Sequence, residues 1–267
     1  DLNYDNKNMR SEMIDEMLYW IKDENIDGFR CDVASAVPLD FWEEAISKIR
    51  DEKDVFMLAE AEEPELVKGK RLFDMVYAWE RHHIFNKMAN EENAIEIWDK
   101  IMEKESERFE SDDILMSFVT NHDENSWNGT IRERMGDASE LLTALSYISP
   151  GMPLIYSGQE YDLDHRLLFF EKDEIPKTKK IMWPLLQKLG KLKKENPALH
   201  TGIDASNYKK INVANPEILA FERSKGTDSV IFLGNFSKNS QEMNNIFSGG
   251  FNYFDNSIEN SEKLVFE

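Results

Sequence analysis

The chain has 267 residues, enough for one large α/β domain plus a small appendage or for two ordinary domains, and its 41% apolar content, with 16 Phe, 6 Trp and 12 Met, argues against global disorder. Asp and Glu outnumber Lys and Arg by 52 to 32, a net charge of −20 that argues against nucleic acid as partner and fits a neutral ligand. The lone cysteine, Cys31, excludes an intrachain disulfide and a multi-cysteine metal site, and the most apolar stretch, 141–156, is broken by Pro150, Gly151 and Pro153 and makes no membrane-spanning segment.

Residues 8–24 have the helical period, with Met9, Met13, Met17, Leu18 and Ile21 on one stripe and Glu12, Asp15, Glu16 and Lys22 facing away. The stretch 27–34 then reads as a short buried strand. Phe29, Cys31 and Val33 alternate with Arg30, Asp32 and Ala34, and Cys31 is expected to be a buried small hydrophobe. Charges are rare in a parallel strand unless they emerge at its C-terminal end, where loops and ligands meet. Residues 38–49 form a second helix with Phe41, Trp42, Ala45, Ile46 and Ile49 inside, and 54–60 is a buried strand that ends in Glu60.

A weaker strand covers 73–79, with His82 and His83 beyond it in a loop or at a helix start. A helix over 94–109 turns Ile97, Ile101 and Met102 inward, and the buried strand 114–120 runs straight into Asn121-His122-Asp123-Glu124. Then come a helix over 138–148, a strand over 153–157, a charged irregular loop over 162–180 and a helix over 183–195. Strand, polar loop and helix thus alternate about five times, which predicts a parallel sheet with functional groups at the C-terminal strand ends. From about 201 the pattern changes to strands at 218–223 and 229–236 joined by a turn at Lys225-Gly226-Thr227-Asp228. The expectation is an α/β unit over 1–200 and a small antiparallel β domain over 201–267, packed together.

Three predicted strands deliver a carboxylate at the C-terminal end: Asp32, Glu60 and Asp123. One such residue alone reads equally as a helix N-cap or a solvated loop acid. Three in the same relative position, with Arg30 and His122 beside them, point to chemistry. Paired carboxylates in unlike environments are the machinery of glycoside hydrolysis.

Gly28-Phe29-Arg30-Cys31-Asp32, Leu58-Ala59-Glu60 and Phe118-Val119-Thr120-Asn121-His122-Asp123 resemble three sequence regions of the α-amylase family of glycoside hydrolases, family 13, in the right order. Asp1-Leu2-Asn3 resembles the end of an element after that family's third strand, and the run from Pro150 to Glu160 resembles its eighth. The resemblance implies part of a (β/α)8 TIM barrel, about strands 4–8, followed by the C-terminal β domain. It implies that Asp32 is the catalytic nucleophile, Glu60 the general acid/base, and Asp123 the third carboxylate that favours a distorted sugar ring. Arg30 would hold Asp32 ionised, His122 would bind sugar hydroxyls, and Glu60 would be protonated near neutral pH. Retention of configuration requires the Asp32 and Glu60 carboxyls to be about 5–5.5 Å apart.

The implied activity is cleavage of α-1,4 links in starch or maltooligosaccharides. The alternatives are α-glucan transglycosylation by the same trio, or a non-catalytic binding fragment, because the first part of the barrel is absent. The chain opens at Asp1 without Met, which is expected of a piece of a longer protein, of a truncated product, or of a chain whose missing barrel half another chain supplies, and any targeting segment would lie upstream. An extracellular or periplasmic location follows if the resemblance holds. Calcium is implied only for the full-length protein: Asp1 is the one retained candidate ligand, and Ser35-Ala36-Val37-Pro38 stands where many relatives have a Lys-His pair. Glu62, Glu63 and Glu124 are expected in structural or solvated roles, while Trp127 and Tyr161 are read either as glucose-stacking rings or as packing residues.

Overall fold

The computed structural model describes residues 2–69, 72–91, 93–178, 180–247, 250–253, 257–259 and 262–266. Asp1, the candidate calcium ligand, lies outside them. Helix α1 (Lys7–Lys22) leads into strand β1 (Gly28–Cys31), then α2 (Leu39–Glu52), β2 (Phe56–Ala59), β3 (Met75–Tyr77), α3 (Trp79–Met88) and α4 (Ala94–Arg108). Strand β4 (Leu115–Ser117), α5 (Ile131–Met135), α6 (Ser139–Ile148), β5 (Met152–Pro153) and α7 (Met182–Glu195) follow.

The first five strands form one sheet in chain order, each parallel to the next. Sequential order without a switch point keeps the right-handed crossovers on one face, so the sheet is an arc of a barrel and not a doubly wound sheet. The alternation of side chains separates the faces. Val76 joins Phe41, Trp42, Ile46 and Ile49 of α2 in the outer core, while Met75, Tyr77, Met116 and Phe118 form a separate cluster on the other face. That inner face is the one toward which Arg30, the neighbour of buried Cys31, also reaches: its Nε donates to the Tyr77 hydroxyl at 3.2 Å.

Local chemistry sets the element ends. Asn6 caps α1 by accepting from the N–H groups of Asn8 and Met9, and Thr130 and Glu133 form a reciprocal capping box on α5. After α7 the chain turns antiparallel: β6 (Asn207–Lys210), β7 (Ile218–Lys225) and β8 (Asp228–Asn235) make one sheet. Strand β9 (Gln241–Asn244) pairs with β12 (Lys263–Phe266), and β10 (Gly250–Asn252) with β11 (Ser257–Glu259). Leu219 and Phe221 of β7 and Phe232 of β8 share one apolar cluster with Trp98, Leu142, Leu145 and Leu189, so the β strands pack directly on α4, α6 and α7.

The structure departs from the expected elements in three places. The strand at 27–34 stops at Cys31, because Val33 adopts φ 44° and ψ 47°, outside any β conformation, and its side chain is exposed. Of 153–157, only Pro153 pairs in a strand, and the backbone turns away after the Leu154 N–H bonds to the Ser117 carbonyl at 2.9 Å. His82 and His83 lie in helix α3, whose pattern is obscured because Arg81 and His82 are buried along with Phe85 and Met88.

Gly28 shows how closely β1 and β2 approach. Its φ is +147°, and a Cβ there would lie 1.8 Å from the Phe56 carbonyl oxygen. Gly28→Ala is therefore expected to cost about 3 kcal/mol or more, through forced separation of the two strands. Urea denaturation checks this, and an unchanged midpoint would refute it.

Candidate active site

Register brings the first two carboxylates together. Cys31 pairs with Ala59, so the next residues of the two parallel strands, Asp32 and Glu60, leave the sheet side by side. The ladder runs one step further, with the Glu60 N–H bonded to the Cys31 carbonyl at 2.9 Å and the Ala34 N–H to the Glu60 carbonyl at 3.1 Å. Arg30 then joins the strand ends. Its Nη1 donates to Asp32 Oδ1 at 2.5 Å, its Nη2 lies 3.2 Å from Glu60 Oε2, and its Nε holds Tyr77. The guanidinium carbon also sits 5.6 Å from the centre of the Tyr77 ring.

The two acids occupy unlike surroundings. The Asp32 side chain is 74% exposed and that of Glu60 is 14% exposed. The hydrogen bond from Arg30 holds the Asp32 carboxyl below the usual aspartate range; its slight burial opposes this, and the charge of Arg30, contact with Glu60 and the field of His122 reinforce it. Glu60 is further fixed by the Val33 N–H, which donates to Oε2 at 2.8 Å. Val33 provides that N–H from a left-handed conformation, costly for a β-branched residue at about 1–3 kcal/mol.

Asp123 and His122 enter from the end of β4. Asn121 Oδ1 accepts from the N–H groups of Asp123 and Glu124 at 3.0 and 2.7 Å, turning the chain into a π-helical segment over Glu124–Asn128. His122 Nε2 lies 3.3 Å from Asp123 Oδ2. The negative charges of Glu60 and Asp123 both act on the Tyr77 hydroxyl, whose pKa is raised chiefly by burial. Asp32, Glu60, Asp123, Arg30 and His122 are thus neighbours in one electrostatic field at one end of the sheet.

Beneath Asp123 lies a buried polar network. Glu124 Oε2 is 3.0 Å from His82 Nε2, and Asn128 donates to Glu124 Oε1 at 3.1 Å. His82 Nδ1 bonds to the Phe118 carbonyl at 3.0 Å while its ring stacks on Phe118. Arg134 closes the network through Asn86 Oδ1 at 2.8 Å and the Val119 carbonyl at 2.8 Å. Burial raises the Glu124 pKa, but the bond from His82 with its charge, the Asn128 amide and the Arg134 field outweigh it and hold the group at about 2.

Tyr77 and Val33 are site residues that sequence reasoning missed. Tyr77 had a usable signal, a polar-tipped aromatic at the end of a strand, whereas nothing in the local sequence announces a strained valine. Glu124 is structural but not solvated. Glu63 accepts from the Glu62 N–H at 2.9 Å in an exposed turn, and Glu62 is half-buried with its pKa pushed up to about 7 by desolvation. Tyr161 stacks on Trp183, a packing role, whereas Trp127 is 55% exposed. Among the described residues no three His, Cys, Asp or Glu side chains are grouped so that they could hold a metal ion. No helix among them is long and apolar enough to cross a membrane.

Two carboxylates bridged by one arginine, with Asp123 and His122 entering from the end of β4, thus stand at the C-terminal strand ends of a barrel arc. The family model for the alpha-amylase catalytic domain matches residues 1–228, and the chain belongs to this family. Similar curated proteins include an α-amylase of Haloarcula japonica, 25% identical over 239 residues that cover 88% of this chain and 35% of that protein. A cyclomaltodextrin glucanotransferase of a Bacillus species is 25% identical over 90% of this chain and 34% of its own length. A maltogenic α-amylase of Bacillus acidopullulyticus is 26% identical over 98% of this chain and 46% of its own length. The chain therefore spans about a third to a half of the length of these relatives. The fold also matches the crystal structure of a maltogenic α-amylase from Thermotoga neapolitana, with TM-score 0.83, 22% identity, and coverage of 100% of this chain and 64% of that one.

Glu124→Gln tests the buried network. A carboxyl held at about 2 when folded, against 4.5 unfolded, contributes stability that is fully present well above 4.5 and is lost as pH falls toward 2. The variant is expected to be less stable at pH 7 by about 2 kcal/mol, with the difference from wild type shrinking below pH 5. Urea melts across that range check this; a pH-independent difference would refute it.

Proposed function

We propose that the protein containing this chain is a retaining glycoside hydrolase that cleaves α-1,4-glucosidic bonds of starch or maltooligosaccharides. The observation that carries this reading is the Arg30 bridge: one guanidinium contacts both Asp32 and Glu60 while the two carboxylates leave neighbouring strands side by side. Bridging by the two terminal nitrogens of one guanidinium, Nη1 on Asp32 and Nη2 on Glu60, supports the short spacing of retaining enzymes over the wider gap, about 6.5–9.5 Å, that an inverting enzyme needs for water.

In this reading Asp32, kept ionised by Arg30 and open to solvent, attacks the anomeric carbon. Glu60 gives its proton to the glycosidic oxygen as that bond breaks, leaving a glycosyl ester on Asp32. Glu60 then takes a proton from water, whose oxygen attacks the same carbon and releases Asp32. Asp123 and His122 hold ring hydroxyls and favour the distorted, oxocarbenium-like sugar. Tyr77 and the Val33 N–H keep Arg30 and Glu60 in position. The same ester can pass to a sugar hydroxyl instead of water, and the similar glucanotransferase favours keeping transglycosylation as the second reading. Chromatography of products from maltoheptaose separates the two: chains longer than the substrate mark transfer.

In the full-length protein Asp32→Asn is expected to lower kcat on starch by on the order of a thousandfold or more, and proton NMR of the first product formed by wild type should show the α-anomer. Normal turnover by Asp32→Asn, or a β-anomer, would overturn the assignment. Because Arg30 depresses the Asp32 carboxyl, Arg30→Met should move the acid limb of the kcat/KM profile to higher pH. An unmoved limb would show that Arg30 does not set the ionisation of the nucleophile.

A further inference from the structure

Strand β4 delivers His122 and Asp123 just past the point where its ladder ends. The Leu154 N–H bonds to the Ser117 carbonyl at 2.9 Å, and side chains take the next two carbonyls. His82 Nδ1 lies 3.0 Å from that of Phe118, and Arg134 Nη2 donates to that of Val119 at 2.8 Å. Buried backbone acceptors need such partners, and here helices α3 and α5 supply them. The same two side chains converge on Glu124, whose Oε2 lies 3.0 Å from His82 Nε2 and 4.0 Å from Arg134 Nη1. From 115 to 125 every residue is buried except His122 and Asp123. Those two are thus bracketed, with the β4 carbonyls clamped before them and Glu124 clamped after them.

The partners fix the protons of the His82 ring. A carbonyl only accepts, so the Nδ1 facing Phe118 carries a proton. Glu124, ionised despite its burial because His82, Asn128 and Arg134 surround it, also only accepts, so Nε2 carries one too. The Asn86 amide nitrogen, 3.2 Å from Nε2, has another acceptor: it donates to the His82 carbonyl at 3.1 Å, oriented by Arg134, which donates to Asn86 Oδ1 at 2.8 Å. Besides Glu124 and Arg134, the titratable group beside the ring is His83 of its own helix, at 5.8 Å between centres. The ring face stacks on Phe118 at 4.6 Å and 9°, and Phe118 meets Tyr77, which holds Arg30, at 5.6 Å. His82 therefore packs between the Arg30 side of the site and the Asp123 side. His82 and Phe118 are both 0% exposed within this chain, so their contacts do not depend on further chain around them.

We propose that His82 is a positioning residue for the reaction: as an imidazolium sealed beneath the strand ends, it donates one N–H to β4 and the other to Glu124, and so fixes the backbone from which His122 and Asp123 project. The inference rests on the hydrolase reading above. A glutamine in its place reaches one partner but not both, and an apolar ring reaches neither. Displacing catalytic groups by about 1 Å from a distance costs about a hundredfold in rate. The loss falls on kcat, because His122 and Asp123 act on the distorted sugar more than on the ground-state chain.

The test uses the full-length protein. His82→Phe keeps the stack on Phe118 but removes both N–H groups, and is expected to lower kcat on maltoheptaose about a hundredfold with KM changed by less than about threefold. His82→Gln restores a donor toward Glu124 and should recover about tenfold of that loss. Circular dichroism verifies both folds. Nitrogen-15 NMR of wild type should show both ring nitrogens of His82 protonated at pH 7, the signal being identified by its Overhauser contact with the Phe118 ring. That measurement needs no variant and decides the proposal even if neither substitution folds. A neutral His82 ring, wild-type kcat in folded His82→Phe, a loss confined to KM, or equal losses in the two variants each overturns the positioning role and leaves the hydrolase reading standing. Wild type that turns over no α-glucan overturns both.

Discussion

The guanidinium of Arg30 ties together three strands. It is carried on β1, contacts Asp32 at the end of the same strand and Glu60 at the end of β2, and holds the hydroxyl of Tyr77 on β3. A cation on the inner face of a parallel sheet is costly unless it is paired and hydrogen-bonded, and here every partner is a neighbour in the sheet. The arrangement depends on register. If β2 slipped by one residue against β1, Glu60 would face the helices and leave Arg30 with one counter-charge. The close approach at Gly28 keeps that register, because any side chain there pushes Phe56 away.

Two nearby features show stability given up for geometry. Val33 occupies a left-handed conformation that a glycine or asparagine would adopt more readily, and the result is an N–H aimed at the carboxylate of Glu60. Below Asp123, Glu124 and His82 are buried against Arg134 and Asn86, an ionic and polar group where apolar packing would serve stability as well. Both devices restrict the directions in which the carboxylates can point. A site that must hold similar acids in different surroundings needs that restriction more than it needs free energy.

The parallel sheet was legible because its strands are short apolar runs alternating with amphipathic helices, while its being part of a barrel was implied only by the family resemblance. The five residues at its rim were legible because charge at the end of an apolar run is anomalous wherever it occurs. Tyr77 was not, since an aromatic at a strand end looks like core until the arginine it accepts from is seen in space. Helix α3 escaped because Arg81 and His82 are buried, which reverses the polar-out pattern on which periodicity depends. The partners that make those burials tolerable, Glu105 for Arg81 and Glu124 for His82, are distant in sequence. Strand β5 is shorter than its apolar run suggests: beyond Pro153, Leu154 packs on the inner cluster while Ile155 is exposed, and the strand does not continue.

The last strand of the arc also has to be held, since it precedes the loop whose His165 carbonyl and Leu167 N–H bond to Asn125, two residues beyond Asp123. Two buried arginines and a half-buried lysine do this. Arg223 of β7 donates to the carbonyl of Ile148 at 2.9 Å, Arg81 of α3 to that of Pro150 at 2.6 Å, and Lys193 of α7 to that of Gly151 at 2.7 Å. These carbonyls lie at the C-terminus of α6 and the turn into β5, where the helix leaves its acceptors unpaired and its dipole favours positive charge. Burial, with the fields of Arg223 and Arg81, lowers the Lys193 pKa to about 7, so near neutrality part of this clamp acts as a hydrogen bond more than as a charge. The antiparallel strands therefore do more than append a β layer. Through Arg223 they grip the same turn that the barrel helices grip, and the position of β5 against β4, hence of the following loop against the Asp123 turn, depends on both parts of the chain.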